Sequence, residues 1–119
     1  QKEAVLTSAS ELNILAALVQ CEAGGESYEG QLAVASVVMN RVRSGSYPGS
    51  ISGVINAPSQ FPPATNGKVA AVIANGPSAS CVEAAQAAID GATNVGGATH
   101  FRAASSGQAG VVIGNHVFW

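Results

Sequence analysis

Near Gly97 the apolar residues of this 119-residue chain change their spacing from helical to extended. Upstream they recur every three or four residues, as one face of a helix requires; downstream they alternate, as a strand requires. Helices first and strands last make an α+β domain: a helical lobe followed by a small antiparallel β-sheet. No repeat, heptad run or linker divides the sequence, so residues 1–119 read as one domain, with residues 1–10 as an N-terminal extension.

Ser8 with Glu11 has capping-box spacing and predicts a first helix running to about Ala23. Gly24-Gly25 turns the chain. Ser27 or a neighbour then caps a second helix, with Glu29 in its first turn and Leu32, Ala35, Val38, Met39 and Val42 on its buried face. Arg41 and Arg43 suit the negative end of that helix's dipole, and Gly45 and Pro48 end it. Ser50–Asn56 allows one or two helical turns, Ala57–Pro63 is a proline-stiffened loop, and Lys68–Ala74 is a short apolar helix. Ser80 and Glu83 form a second capping box before an alanine-rich helix ending at Asp90, with Gly91 just beyond it. Strands are expected at 98–103, 110–113 and 116–119, the last two joined by a Gly114-Asn115 hairpin turn.

Only 10% of the residues are charged, and the net charge is −2. That leaves no electrostatic case for nucleic acid or an anionic membrane. No apolar run approaches the ~20 residues needed to span a bilayer. Gln1-Lys2-Glu3 is not of signal-peptide type, so the expectation is a chain cut from something longer or one that has lost a leader. The neutral, hydrogen-bonding surface suits a carbohydrate. Cys21 and Cys81 read either as two free buried thiols or as a disulfide closing a loop of about 60 residues, worth roughly 4 kcal/mol. The histidines do not stand at ligand spacing from them, so no metal is expected, and no cofactor.

Glu22 is the candidate catalytic group. It extends the apolar stripe of Leu15, Leu18 and Val19 and is followed by Gly24-Gly25. A carboxyl on the core side of a helix is costly unless it is protonated, paired or lining a cleft, and in the last case its raised pKa suits a general acid. The alternative is a helix-end side chain that reaches water or caps a neighbouring turn. Of the seven carboxylates, Glu11 and Glu83 have capping spacing, Glu29 and Asp90 stand at helix ends and Glu3 at the terminus. Glu26 remains, either as a partner of Glu22 and contact for substrate or as an acceptor for amides opening the second helix.

A two-acid glycosidase needs its carboxyls ~5 to 10 Å apart. One Glu is enough if it first protonates the glycosidic oxygen and then deprotonates either water or the sugar's own 6-hydroxyl. Gln60, Phe61, His100, Arg102 and His116 are candidates for sugar contact, the last three from a sheet face forming the far wall of the cleft; core packing or solvated strand positions are the alternative for each. A non-catalytic glycan-binding module is the reading from another class. No Gly-x-Ser-x-Gly elbow or phosphate-binding glycine loop is present.

The run from Glu22-Ala-Gly-Gly-Glu26 through Tyr28-Glu-Gly-Gln-Leu-Ala-Val-Ala35 to Asn40-Arg-Val42 resembles the cell-wall hydrolase family named for the spore-cortex-lytic enzyme SleB. Gln60-Phe61, the alanine helix, Gly96-Gly-Ala98 and Ile113-Gly-Asn-His-Val-Phe118 agree in order and spacing. The resemblance implies a lysozyme-related catalytic domain cutting peptidoglycan between N-acetylmuramic acid and N-acetylglucosamine. It further implies a lytic transglycosylase with a single Glu, here Glu22, working on glycan strands as a monomer outside the cell, in the wall or the spore cortex. The strand Thr99-His100-Phe101-Arg102 differs from the aromatic-plus-Asn pattern of many members, and the cysteine pair is not a general feature of the family.

Overall fold

The computed structural model describes residues 2–57 and 60–119, and side chains from residue 11 onward except that of residue 65. Its elements, in chain order, are α1 (Lys2–Ala23), α2 (Tyr28–Ser44), α3 (Ile51–Ile55), α4 (Pro62–Thr65), α5 (Lys68–Asn75), α6 (Ala79–Ile89), β1 (Phe101–Ala103), a 3₁₀ turn (Ala104–Ser106), β2 (Val111–Ile113) and β3 (His116–Phe118). The α+β order expected from the change of period is the order observed.

α2 is the centre of the lobe. Ser27 caps it by accepting from Gly30 N, and Gly45 ends it with φ 79°, a left-handed conformation that glycine adopts without strain. Residues 33–39 are all buried, which is more than the single stripe the spacing predicts. The reason is that α1, α3, α6 and the sheet surround this helix. Small side chains make that possible: Ala16 and Ala17 on α1, Ala33 and Ala35 on α2, and Ala84, Ala85 and Ala88 on α6 are wholly buried. Leu15, Leu18, Val34, Val38 and Phe118 fill the remaining core.

The helix ends differ from the sequence expectation in instructive ways. α1 already runs from Lys2, because nothing in residues 2–7 breaks a helix; the Ser8 half of the expected capping box lies outside the described side chains. Glu11 accepts instead from Ser52 N at 3.2 Å, so it serves the start of α3. α6 is capped by Ser78, whose Oγ accepts from Cys81 N, and not by Ser80. Ser80 lies inside the helix and donates to Gln31 Oε1. At the other end Gly91 N bonds Ala88 O and Ala92 N bonds Ala87 O, a Schellman stop with Gly91 at φ 106°. The expected proline loop contains the short α4, begun by Pro62 at a position where its missing N–H costs nothing; Pro58 and Ser59 lie outside the described residues.

The expected Cys21–Cys81 bridge is not formed. Both thiols are free, Cys81 buried in the core and Cys21 packed at its edge. Each acts there as a small apolar residue. Burial and the neighbouring Glu22 push the Cys21 thiol up, which keeps it protonated.

β3 lies between β1 and β2, with Phe101 opposite Phe118, Ala103 opposite His116 and Ile113 opposite His116 on the other side. β1 is shorter than predicted, although Trp119 continues the pairing through His100 O and N. The β2–β3 turn is held from outside the sheet. Glu26 accepts from Asn115 N at 3.0 Å and from Asn115 Nδ2 at 2.9 Å. These bonds hold the Glu26 carboxyl below its ordinary value. Glu26 is therefore the clasp between the α1–α2 turn and the hairpin; it does not serve the amides of α2.

Gly114 stands at φ 58°, and a Cβ there would fall on Glu26 Oε1. Gly114→Ala should cost about 1–2 kcal/mol from the left-handed backbone alone, seen as a lower urea midpoint. A depressed carboxylate contributes stability that is present above its unfolded pKa and is lost as pH falls through the folded one. Unfolding temperature should therefore drop on acidification more steeply in the parent than in Glu26→Gln; parallel curves would remove the clasp.

Candidate active site

α1 ends at Ala23, and Glu22, one residue earlier, projects into an open cleft of about 270 Å³. The opposing surface comes from two places. Arg41, Gln60 and Phe61 supply one part, and Phe101, Arg102, Ala103 and His116 supply the other. The Gly24-Gly25 turn lets the chain leave α1 and enter α2 without covering the carboxyl, and both glycines are exposed.

Burial raises the Glu22 carboxyl above its ordinary value, while His116 and Lys68 act through space in the opposite direction. No hydrogen bond contributes among the described residues. Desolvation thus favours the acid in its neutral, proton-bearing form. It is also the one carboxyl among the described residues that lines this cleft.

The aromatic residues form a continuous wall. The Phe61 ring stacks on Phe101 at 6.4 Å, and Phe101 meets the edge of His116 at 5.5 Å and the Phe118 ring at 5.8 Å. Phe61 is 4% exposed, so it is a core residue whose ring edge also faces the cleft. His116 Nδ1 is buried without a hydrogen-bond partner among the described residues.

The structure brings Glu22, Gln60, Phe61, Arg102 and His116 together and leaves Glu26 and His100 out. Both Glu26 oxygens are engaged by Asn115. His100 points away, stacked on Trp119 at 5.3 Å. Strand alternation puts Phe101 and Ala103 on one face with His116, and His100 and Arg102 on the other. Of the three sheet residues expected at the cleft, His116 reaches it from the first face and Arg102 from the second, and His100 does not reach it. Arg102 lines the cleft while its guanidinium carbon lies 5.1 Å from the Trp119 ring.

Sequence reasoning missed Arg41 as a cleft residue and assigned it only to the helix dipole. It is 6% exposed and donates to Thr99 O at 2.7 Å and Gln60 Oε1 at 2.8 Å. Its position four residues beyond Val37 and three beyond Val38, both wholly buried, was the available signal. Among the described residues no group of three or more His, Cys, Asp and Glu side chains comes together as a metal site would need. No helix among them is long and apolar enough to cross a membrane.

Comparison with known proteins adds an independent line. A family model described as cell wall hydrolase matches residues 25–119, beginning three residues after Glu22. The spore cortex-lytic enzyme of Halalkalibacterium halodurans is 32% identical over 119 residues, covering 93% of this chain and 35% of that protein. The spore cortex-lytic enzyme of Bacillus subtilis is 42% identical over 62 residues, covering 52% of this chain and 20% of that protein. The chain thus spans about a third or less of the curated relatives it matches. Among solved structures, the catalytic domain of the germination-specific lytic transglycosylase SleB from Bacillus anthracis aligns with a TM-score of 0.78 at 31% identity, covering 91% of this chain and 92% of that one. The catalytic domain of Bacillus cereus SleB aligns with a TM-score of 0.77 at 32% identity, covering 91% and 88%.

A buried acid favours its neutral form, so the stability this form contributes is complete below the unfolded pKa of Glu22 and is lost as pH rises through the raised folded one. At neutral pH Glu22→Gln should unfold at a higher temperature than the parent. The difference should close as pH falls below the ordinary carboxylate range, and a variant less stable at neutral pH would contradict the burial argument.

Proposed function

The chain belongs to the cell wall hydrolase family, and from that premise we propose that it cleaves peptidoglycan between N-acetylmuramic acid and N-acetylglucosamine as a lytic transglycosylase. The observation that carries this reading is the single raised carboxyl in the cleft. Neutral Glu22 gives its proton to the glycosidic oxygen as the bond from that oxygen to the muramyl anomeric carbon breaks. The resulting carboxylate takes the proton of the muramyl 6-hydroxyl as its oxygen attacks the same carbon, closing a 1,6-anhydro ring. Glu22 ends the cycle protonated again, and neither water nor a second acid is consumed.

Hydrolysis of the two-carboxylate kind would call for a partner acid ~5 to 10 Å away, and Glu26, the nearest in sequence, is committed to Asn115. His116 and Lys68 steady the carboxylate between the two proton transfers. The curved aromatic wall of Phe61 and Phe101 offers apolar contact to a sugar face. Residues 1–119 act as one catalytic unit, a monomer, on glycan strands outside the cell. Spore cortex is the favoured form of the substrate because the relatives bear the name spore cortex-lytic enzyme.

Glu22→Gln should lower cleavage of purified cortex or sacculi by at least about 10²-fold while keeping the fold by circular dichroism. Products of the parent should be lighter by one water than those of a hydrolase, as mass spectrometry of the digest reads directly. Because the acid must be protonated in the free enzyme, kcat/KM should fall on the alkaline side with a midpoint above the ordinary glutamate value. Reducing-end products of hydrolytic mass would replace this chemistry with attack by water.

A further inference from the structure

The acid–base scheme leaves two guanidinium groups in the cleft unused, the exposed Arg102 and the buried Arg41. Arg41 is 6% exposed, yet every partner it has among the described residues is neutral. Its Nε bonds the Thr99 carbonyl and its Nη1 the Gln60 side-chain oxygen. The rings of Tyr47 and Phe61 lie 4.9 and 5.2 Å from its guanidinium carbon. Burial of a cation without a counter-ion is costly, and its cost is visible here as a guanidinium pulled below its ordinary pKa. No ion pair joins Arg41 to Glu22 among the described residues, although both line the cleft.

Among the described residues two of the five guanidinium donors are used, so three remain on a side chain that lines the cleft. The bond to Gln60 adds to this. A guanidinium only donates, so Gln60 must turn its oxygen to Arg41, which leaves the two amide hydrogens on Nε2 at the free end of an exposed side chain that also lines the cleft. Arg41 and Gln60 together therefore present mostly hydrogen-bond donors, with one lone pair of Gln60 Oε1 already taken by Arg41. Such a surface matches an acceptor group, and the planar, charged guanidinium matches an acyl oxygen best.

We propose that Arg41, with Gln60 oriented by it, is the specificity element of the cleft and binds an acyl oxygen carried by a sugar at the scissile bond. This rests on the peptidoglycan reading, in which two groups supply that chemistry: the N-acetyl carbonyl and the muramyl lactyl carboxyl. The aromatic pair of Tyr47 and Phe61 fixes the guanidinium plane, and Thr99 O fixes its depth. Arg41 binds substrate; it does not move the proton.

Binding is measured by calorimetry in the Glu22→Gln background, where no turnover intervenes. The probes are a tetrasaccharide of alternating N-acetylglucosamine and N-acetylmuramic acid, its N-deacetylated counterpart, and its counterpart with the lactyl carboxyl reduced to an alcohol. Gln60→Glu keeps the side-chain shape and gives Arg41 a carboxylate but removes the Nε2 donors, and Arg41→Lys keeps the cation but removes the planar fork, so if this pair were purely structural both variants would bind as the parent does. The proposal instead expects Gln60→Glu and Arg41→Lys each to weaken the tetrasaccharide by about tenfold or more. The loss should vanish with the N-deacetylated probe if the carbonyl is read, or with the reduced probe if the carboxyl is read.

Unaltered affinity of Gln60→Glu for all three probes, at an unchanged unfolding midpoint, overturns the proposal, and this variant decides the matter if Arg41→Lys does not fold. A parent that binds none of the probes sinks the peptidoglycan reading itself, and the role of Arg41 with it.

Discussion

Two side chains at the end of α2 hold the sheet against the helical lobe. Asn40 Nδ2 donates to Gly96 O and Ala98 O at 2.9 and 2.8 Å, and Arg41 Nε donates to Thr99 O at 2.7 Å. They fasten the irregular segment leading into β1, whose backbone carbonyls would otherwise lack partners near the core. Everything that faces Glu22 from the sheet depends on this attachment. Phe101 begins two residues after Thr99, and His116 is placed by pairing with Ala103. The Glu26–Asn115 clasp repeats the arrangement at the other end of the sheet. A three-stranded sheet of three-residue strands has little stability of its own, so side chains of the helical lobe set its position.

This explains what was legible in the sequence. α2, α3 and α5 and the Gly114-Asn115 turn follow from local chemistry: a serine cap, a glycine stop, an apolar period. Glu22 was legible because one polar residue interrupting an apolar stripe contradicts the helix it ends. Arg41 gave the same kind of signal, but the helix dipole supplied a ready local explanation for it. Its real partners, Thr99 and Gln60, are 58 and 19 residues away. The cap of α6 failed for a related reason. Ser80 had capping-box spacing with Glu83, but its hydroxyl is taken by Gln31 on α2 and Ser78 caps instead. On the sheet, Arg102 and His116 reach the cleft and His100 does not, because three-residue strands give too few alternations to say which side of each strand meets the lobe.

The cleft places an acid that favours neutrality and a cation without a counter-ion in one small space. Had the two been paired, each would have been satisfied and neither available: the acid would ionise, and the guanidinium would lose its free donors. Keeping them apart costs stability at two points, as functional sites commonly do. The helical lobe meets that cost with close alanine packing around α2.

The low charge content of the chain then acquires a mechanistic sense. With five Lys and Arg and seven Asp and Glu in all, few long-range fields reach the cleft from elsewhere. Burial raises the Glu22 carboxyl, and His116 and Lys68 act against it. A densely charged surface would superpose further fields on that balance, screened only by salt over about 8–10 Å. A neutral exterior of amides and hydroxyls adds little to the local balance at the acid.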